Sequence, residues 1–434
     1  MYLLEVGDNK KGVQLKQTEL ELLKKLLHHR LLTTSQLYSL YSSYVDVSYI
    51  SFCNRLKKLY SMDIINKKEY TLGQKGFYFN YFRIGKRGVD ALVANEFIEH
   101  DAADEYEDVK KGFNAKNIDH YLAIQELVVD VLKCGEQKRE QFQSIHPWKV
   151  PYIDKHSKED EKLVIPDWII KKGNKYLNIE MDTGSESLST LKEKVKRYMN
   201  LAEQKPNQKH VVLFVLLDES FTTRQKYGDR TVRVGNVKQS LINTKGIEGS
   251  NLDVYVVSLS NASNIAYQLL IGETPLDMGS RRMEVDIAVQ TLEQLNSVFD
   301  YQFDALDAGK IYIDAPSELH ADGAYALKNP SGYTVDTVLL VYMCNGDVKS
   351  LNRLDYLYRS LENNRFGINI SRIIAIYKDE HSLKSDVIGR KYNHVILGDN
   401  ATWGENLDEQ PIFYSQVSPV RKERGLYDKF MGSV

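Results

Sequence analysis

The spacing of apolar residues divides the chain into segments of different period. Over residues 17–30 (QTELELLKKLLHHR), Leu20, Leu23, Leu26 and Leu27 fall on one face of a 3.6-residue repeat, which predicts an amphipathic helix. Thr33 or Thr34 can cap a second helix over TSQLYSLYSS, because a hydroxyl there accepts a backbone N–H left open by the first turn. A third helix is expected after Asp46-Val47-Ser48 over YISFCNRLKKLYSM. Its expected apolar face is Ile50, Cys53, Leu56 and Leu59 or Tyr60, with Asn54, Arg55, Lys57 and Lys58 opposite. Two β-rich runs, 64–70 and 77–83, flank a Gly-containing turn and read as a hairpin. A closing helix from about Lys86 carries Val89, Leu92 and Val93.

Three helices, a hairpin and a closing helix are the element order of a winged helix-turn-helix, expected over residues 1–97. In that geometry the third helix enters the major groove of double-stranded DNA. Ser48, Tyr49, Ser51 and Asn54 would then lie near base edges, and Arg55, Lys57, Lys58, Lys67, Lys68 and Lys75 near phosphates. Charge agrees: residues 1–96 hold fifteen Lys and Arg against nine Asp and Glu, although the whole chain is at −2. Residues 99–108 then carry six acids and no base, which marks an acidic linker over 98–111. The alternative is a three-helix module for protein interaction with a hairpin appended.

A further amphipathic helix is expected over 117–134 (NIDHYLAIQELVVDVLKC). The segment after it carries the chemistry. Asp167 opens one strand, Lys171-Lys172-Gly173-Asn174 forms a turn, and the return strand 176–181 runs into Asp182. Period-two alternation puts Asn178, Glu180 and Asp182 on one face and Ile179 and Met181 on the other. A helix over about 187–203 with the stripe Leu188, Leu191, Val195 and Tyr198 or Met199 precedes a buried strand at 211–217. Carboxylates at neighbouring strand ends can hold a hard cation, Mg²⁺ or Mn²⁺, which activates an oxygen nucleophile against a phosphodiester. A lysine nearby stabilises the charge that develops.

Pro166-Asp167, the thirteen-residue spacing and Glu180-Met181-Asp182 resemble the PD-(D/E)XK nuclease superfamily over 117–217. The resemblance implies Asp167, Glu180 and Asp182 as metal ligands and Asp167, Glu180 and Lys194 as catalytic residues. Asp182 stands where that family has lysine, and Lys194 from the following helix is the expected substitute among Lys192, Lys194 and Lys196. With the N-terminal module added, residues 15–270 resemble the replication-relaxation family of plasmids and mobile elements. The motifs that carry this are Pro166-Asp167, Glu180-x-Asp182-x-Gly184, Lys194 and Tyr198.

Other layouts are excluded. There is no GxxxxGK[ST] loop for ATP and no HxH cluster for a histidine-metal relaxase. His28-His29 are expected at the surface or as helix caps, Glu126 as a solvated helix position, and Tyr198 as core rather than as a nucleophile. Cys53, Cys134 and Cys344 lie far apart, which fits a reducing compartment. No apolar run approaches the ~20 residues of a membrane helix, and no signal-peptide pattern opens the chain, so a cytoplasmic protein is expected.

The C-terminal third can be laid over the middle, as a second copy or as an unrelated α/β domain whose βαβ order recurs by chance. The return strand and helix of residues 338–361 overlay those of 176–199, pairing Met343 with Met181 and Gly346 with Gly184. Glu180 then becomes Tyr342 and Asp182 becomes Cys344, which predicts a degenerate copy without a metal site. The expected fold class is α+β and α/β multidomain: a winged helix over 1–97, a linker over 98–111, a PD-(D/E)XK-like module over 112–275 and a second over 280–434. The expected function is DNA binding in plasmid or mobile-element replication, relaxation or mobilisation, coupled to metal-dependent nicking and carried out as a homodimer. The alternatives are a non-catalytic transcriptional regulator or replication initiator, and a modulator that binds a peptide or small ligand.

Overall fold

A computed structural model describes residues 2–6, 10–71, 78–99, 118–150, 164–223, 229–242, 244–275, 277–295, 297–313, 315–405 and 408–431. The chain is mixed α/β and divides into two compact units, one of Met1–Pro151, Pro166–Lys172 and Leu217–Gly228, the other of Tyr152–Ile165, Gly173–Leu216 and Asp229–Val434. Helices of eight or more residues are numbered below.

The first unit opens with an antiparallel pair, β1 (Tyr2–Val6) and β2 (Lys10–Leu15), which the sequence pattern does not announce. Then follow α1 (Gln17–His29), β3 (Leu32–Thr33), α2 (Thr34–Ser42) and α3 (Tyr49–Ser61). After them come β4 (Ile65–Thr71), β5 (Tyr78–Ile84) and α4 (Lys86–Ala94). The expected cap of α2 forms, with Thr33 accepting from Gln36 N in a reciprocal capping box, and Ser48 caps α3 by accepting from Ser51 N. β4 and β5 pair antiparallel and β3 adds to β5. Leu20, Leu23, Leu26, Leu37, Leu40, Phe52, Leu56 and Leu59 close one core.

Two expectations change here. The buried face of α3 is Phe52, Leu56 and Leu59, not the set containing Ile50 and Cys53; Ile50 is 74% exposed. The physical reason is rotational. Asn54 and Lys57 lie one and two turns beyond Ile50 on its own side, so burying Ile50 would bury them. His29 is not at the surface. It is buried, stacked on Trp168 at 5.6 Å between ring centroids, with Nδ1 at 2.6 Å from Gln125 Oε1.

The unit continues with α5 (Ile118–Gln137), β6 (Gln143–Ile145) and β7 (Trp168–Lys172), the two strands being antiparallel. α5 packs on α2, where Gln36 Nε2 donates to Leu122 O and to Glu126 Oε2. Glu126 is therefore a partly buried partner of Gln36 and not a solvated position; burial raises its carboxyl pKa.

The second unit begins with β8 (Lys175–Asp182), α6 (Leu188–Gln204), β9 (Lys209–Leu216), α7 (Thr231–Leu241), β10 (Leu252–Ser258) and α8 (Leu259–Ile271). β8, β9 and β10 are parallel neighbours in that order, with Glu180 opposite Phe214 and Asp182 opposite Leu216. Next come α9 (Met278–Gln294), β11 (Gln302–Ala305), β12 (Gly323–Lys328), β13 (Thr334–Tyr342) and α10 (Val348–Glu362). β14 (Arg372–Tyr377), β15 (Val395–Asp399), β16 (Ile412–Gln416) and β17 (Lys422–Leu426) complete a seven-stranded sheet in chain order. Within it β13, β14 and β15 are again parallel neighbours, the arrangement of β8, β9 and β10. Each first strand ends near a glycine in the left-handed region, Gly184 at φ +88° and Gly346 at φ +82°. Gly346 O accepts from Val256 N at 2.9 Å, and a Cβ there would meet Val257 Cγ1 at 2.5 Å.

Candidate functional site

Two places gather the residues singled out by the sequence. The first is the outer side of α3 with the adjoining β4. Thirteen residues without an acid, capped by Ser48, form α3. At 100° per residue, Ile50, Asn54, Lys57 and Ser61 make one ridge, opposite the buried Phe52, Leu56 and Leu59. Ser51, Asn54, Lys57 and Lys58 are exposed, and Tyr49 is half exposed, its ring edge-on to Tyr38 at 5.1 Å. Lys57 and Lys58 have no acidic partner among the described residues.

Arg55 is placed differently. Its guanidinium grips Glu19 through two donors, Nη2 at 2.7 Å, and also gives a bond to Gln14 O at 2.6 Å. Glu19 is buried, so Arg55 neutralises a buried carboxylate that also accepts from Lys16 N. On β4, Lys67 lies 3.7 Å from Glu69 and over the Tyr60 ring at 5.4 Å, and Lys68 is exposed. Lys75, expected on the hairpin turn, lies outside the described residues, as does most of the acidic linker.

The second place is the end of β8. Tyr176–Asp182 are all buried, because β9 covers one edge of β8 and α6 and α8 pack on the strands. Asn178 donates to Val211 O at 3.1 Å. Glu180, 2% exposed, accepts from Tyr198 Oη at 2.6 Å on one oxygen and from Lys194 Nζ at 2.9 Å on the other. Lys194 also bonds Glu186 at 2.9 Å. Burial alone lowers an ammonium pKa, but Glu180 and then Glu186 outweigh it and hold Lys194 above its ordinary range. Lys194 is thus a fixed cation and not a base.

Asp182, 3% exposed, accepts from Gly184 N at 2.7 Å and from Arg233 at 2.8 and 3.1 Å. Arg233 on α7 also reaches Glu186 O at 2.6 Å, and Arg230 donates to Thr183 O at 3.2 Å. Asp167 belongs to the first unit and pairs there with His120 Nε2 at 3.2 Å. Sequence reasoning thus brings Glu180 and Lys194 together, and Tyr198 is both core and ligand to Glu180. It misses Arg233, 51 residues from Asp182. The only local signal was the pair Arg230 and Arg233 at a helix start.

The donor set bears on the metal. A divalent ion needs carboxylate oxygens that are open to it and to its waters. Here the β8 carboxylates are buried, and each is bonded to a protein cation. Among the described residues no three His, Cys, Asp or Glu side chains gather where they could hold a metal ion. The arrangement fits charge-compensated carboxylates and does not fit a resident Mg²⁺ or Mn²⁺.

The seven-stranded sheet carries an acid in a similar position. Asp322 stands immediately before β12, as Asp167 stands before β7. It bonds Arg281 of α9 at 3.1 Å and Arg353 of α10 at 3.3 Å, and accepts from Tyr342 N at 2.8 Å. Cys344 is buried, and burial holds its thiol well above the ordinary range, so it supplies no thiolate.

The chain is thus a mixed α/β protein with a basic helix surface in one unit and ion-paired carboxylates on parallel strands in the other. Residues 23–217, somewhat under half of the chain, match the family described as replication-relaxation. That likeness suggests a role in plasmid or mobile-element replication or relaxation. Neither the curated proteins nor the solved structures give a match. No helix among the described residues is long and apolar enough to cross a membrane.

Proposed function

We propose that this chain is a duplex-DNA-binding protein of plasmid or mobile-element replication, a regulator or initiator that works by binding and assembly. On this reading residues 1–97 are a winged helix, α3 enters the major groove, and β4 and β5 lie along the backbone. The observation that carries it is the outer side of α3, where Asn54, Lys57 and Lys58 are exposed on an acid-free helix. The two parallel-strand modules of the second unit are read as a duplicated PD-(D/E)XK-like fold, with both copies serving as scaffold.

The test is fluorescence anisotropy of the full chain with duplex from the element's own origin region, over a series of salt concentrations. Binding should weaken steeply with salt, and Lys57→Ala with Lys58→Ala should lower the slope of log K against log [salt] by about two. Salt-independent binding, or an unchanged slope, would refute the proposal.

A second reading, metal-dependent nicking, is favoured by one observation: Lys194 reaches Glu180 from the helix after the strand. Supercoiled origin plasmid with Mg²⁺ or Mn²⁺ separates the two. Open circles from wild type, and none from Asp167→Ala or Glu180→Ala, would replace the scaffold reading with an enzyme.

A further inference from the structure

The α3 ridge carries a residue that phosphate contact does not explain. Ile50 is 74% exposed on the first turn, directly opposite the buried stripe, so it contributes nothing to the core. Exposed β-branched residues also gain nothing from helix propensity. Single exposed aliphatics are common, but this one is framed by function-bearing neighbours. Asn54 follows it by one turn and Lys57 by two on the same ridge, Tyr49 stands beside it, and the helix has no acid.

We propose that Ile50 and Asn54 read adjacent A·T pairs in the major groove, Asn54 through its amide and Ile50 through a thymine methyl. The inference rests on the duplex-binding reading above. An Asn amide matches the N6 donor and N7 acceptor of adenine, and an apolar side chain matches the 5-methyl of thymine. The four residues from Ile50 to Asn54 rise about 6 Å, and base pairs stack about 3.4 Å apart, so the two side chains reach neighbouring or next-neighbouring pairs. Lys57 and Lys58 fit the flanking phosphates and fix the register without reading sequence. The occupant is therefore a T-containing duplex and not an acidic protein face, because an Asn–Ile pair has the polarity of an A·T edge.

The experiment begins with selection of duplexes from a random-sequence pool by the full chain. Each thymine of the enriched duplex is then replaced by deoxyuridine, which removes only the 5-methyl group. One position should weaken wild-type binding about fourfold, the effect of one buried methyl. In Ile50→Ala the same replacement should have no effect. Asn54→Ala should relax an adenine preference at a neighbouring pair by about 5- to 150-fold. Both side chains are exposed, so both variants should fold, as circular dichroism will register. If wild type binds duplex with a steep salt dependence but no deoxyuridine position matters, or Ile50→Ala keeps the sensitivity, this inference falls and the duplex-binding reading stands. If wild type binds no duplex, both fall.

Discussion

Acid should unfold the first unit through its buried histidines. His29 is 2% exposed; burial first, then the charges of His28 and Lys25, push its pKa down to about 3, against the opposing bond to Gln125. Burial, followed by Arg30, His28, His29 and Lys149, pushes His146 down to about 2. The unfolded chain takes up each proton near pH 6.5 and the folded chain refuses it until far lower. Stability is therefore complete above pH 6.5 and is lost as pH falls. Between pH 7 and 5 each histidine should cost about 2 kcal/mol, so about 4 kcal/mol together. Glu126 and Asp130, both raised by burial, act in the opposite sense at lower pH. A variant that keeps them cancels their effect. His29→Gln retains an N–H for Gln125 and cannot be protonated. Urea unfolding at pH 7 and pH 5 reads the difference by tryptophan emission, with the first unit's transition identified by its loss in Trp168→Phe. The wild type should lose about 2 kcal/mol more than His29→Gln over this range. Equal losses in the two proteins would refute the argument that His29 is held neutral.

Three further substitutions test the packing around the sites. Lys238 and Asp386, both fully buried, pair at 2.6 Å. Lys238→Met leaves a buried carboxylate without its closest cation and should cost about 3–5 kcal/mol in urea unfolding. Gly346→Ala must place a Cβ 2.5 Å from Val257 Cγ1 at φ +82°, and should cost at least about 2 kcal/mol by thermal unfolding, more than Gly184→Ala, whose nearest neighbour is the tip of Arg230 at 3.2 Å. Arg55→Lys cannot grip Glu19 with two donors, and should lower the first unit's urea midpoint while Lys57→Gln leaves it unchanged.

The elements around α3 were legible because local signals agree there. Thr33 and Gln36 cap α2, Ser48 caps α3, and leucines repeat at 3.6 along α1. The rotation of α3 was not, because two apolar sets, one through Ile50 and one through Phe52, share the same period. Only the polar residues one and two turns beyond Ile50 distinguish them. His29 stacks on Trp168, 139 residues away, and the pairing of Asp182 depends on α7. No window of sequence holds such pairs. The alternation of β8 was legible in phase, yet both of its faces are buried, because helices cover a parallel sheet.

The pairing of charges around β8 gives an acid at position 182 a physical meaning. An acid at that position adds negative charge to Glu180 and Glu186, and without compensation the strand end would attract a cation. The chain supplies its own: Lys194 between Glu180 and Glu186, and Arg233 on Asp182, both anchored on helices that follow the strand. Three carboxylates thus face Lys194 and Arg233, with Arg230 at the adjoining turn. The second module goes further, since one carboxylate, Asp322, faces both Arg281 and Arg353. There Arg353 Nε is buried and has no hydrogen-bond partner among the described residues, the cost of filling one acid's environment with two guanidinium groups. Guanidinium stays charged at any accessible pH and is more weakly hydrated than ammonium, so it suits a permanent buried pairing. On the proposed reading, the two modules stand at successive stages of one change, in which protein cations take over charge compensation and the fold is kept for assembly. Arg233→Leu examines that order directly: it should leave Asp182 unpaired and give the full chain a measurable Mn²⁺ affinity by calorimetry that wild type lacks. Equal Mn²⁺ binding in both proteins would sink the idea that Arg233 stands in for an ion.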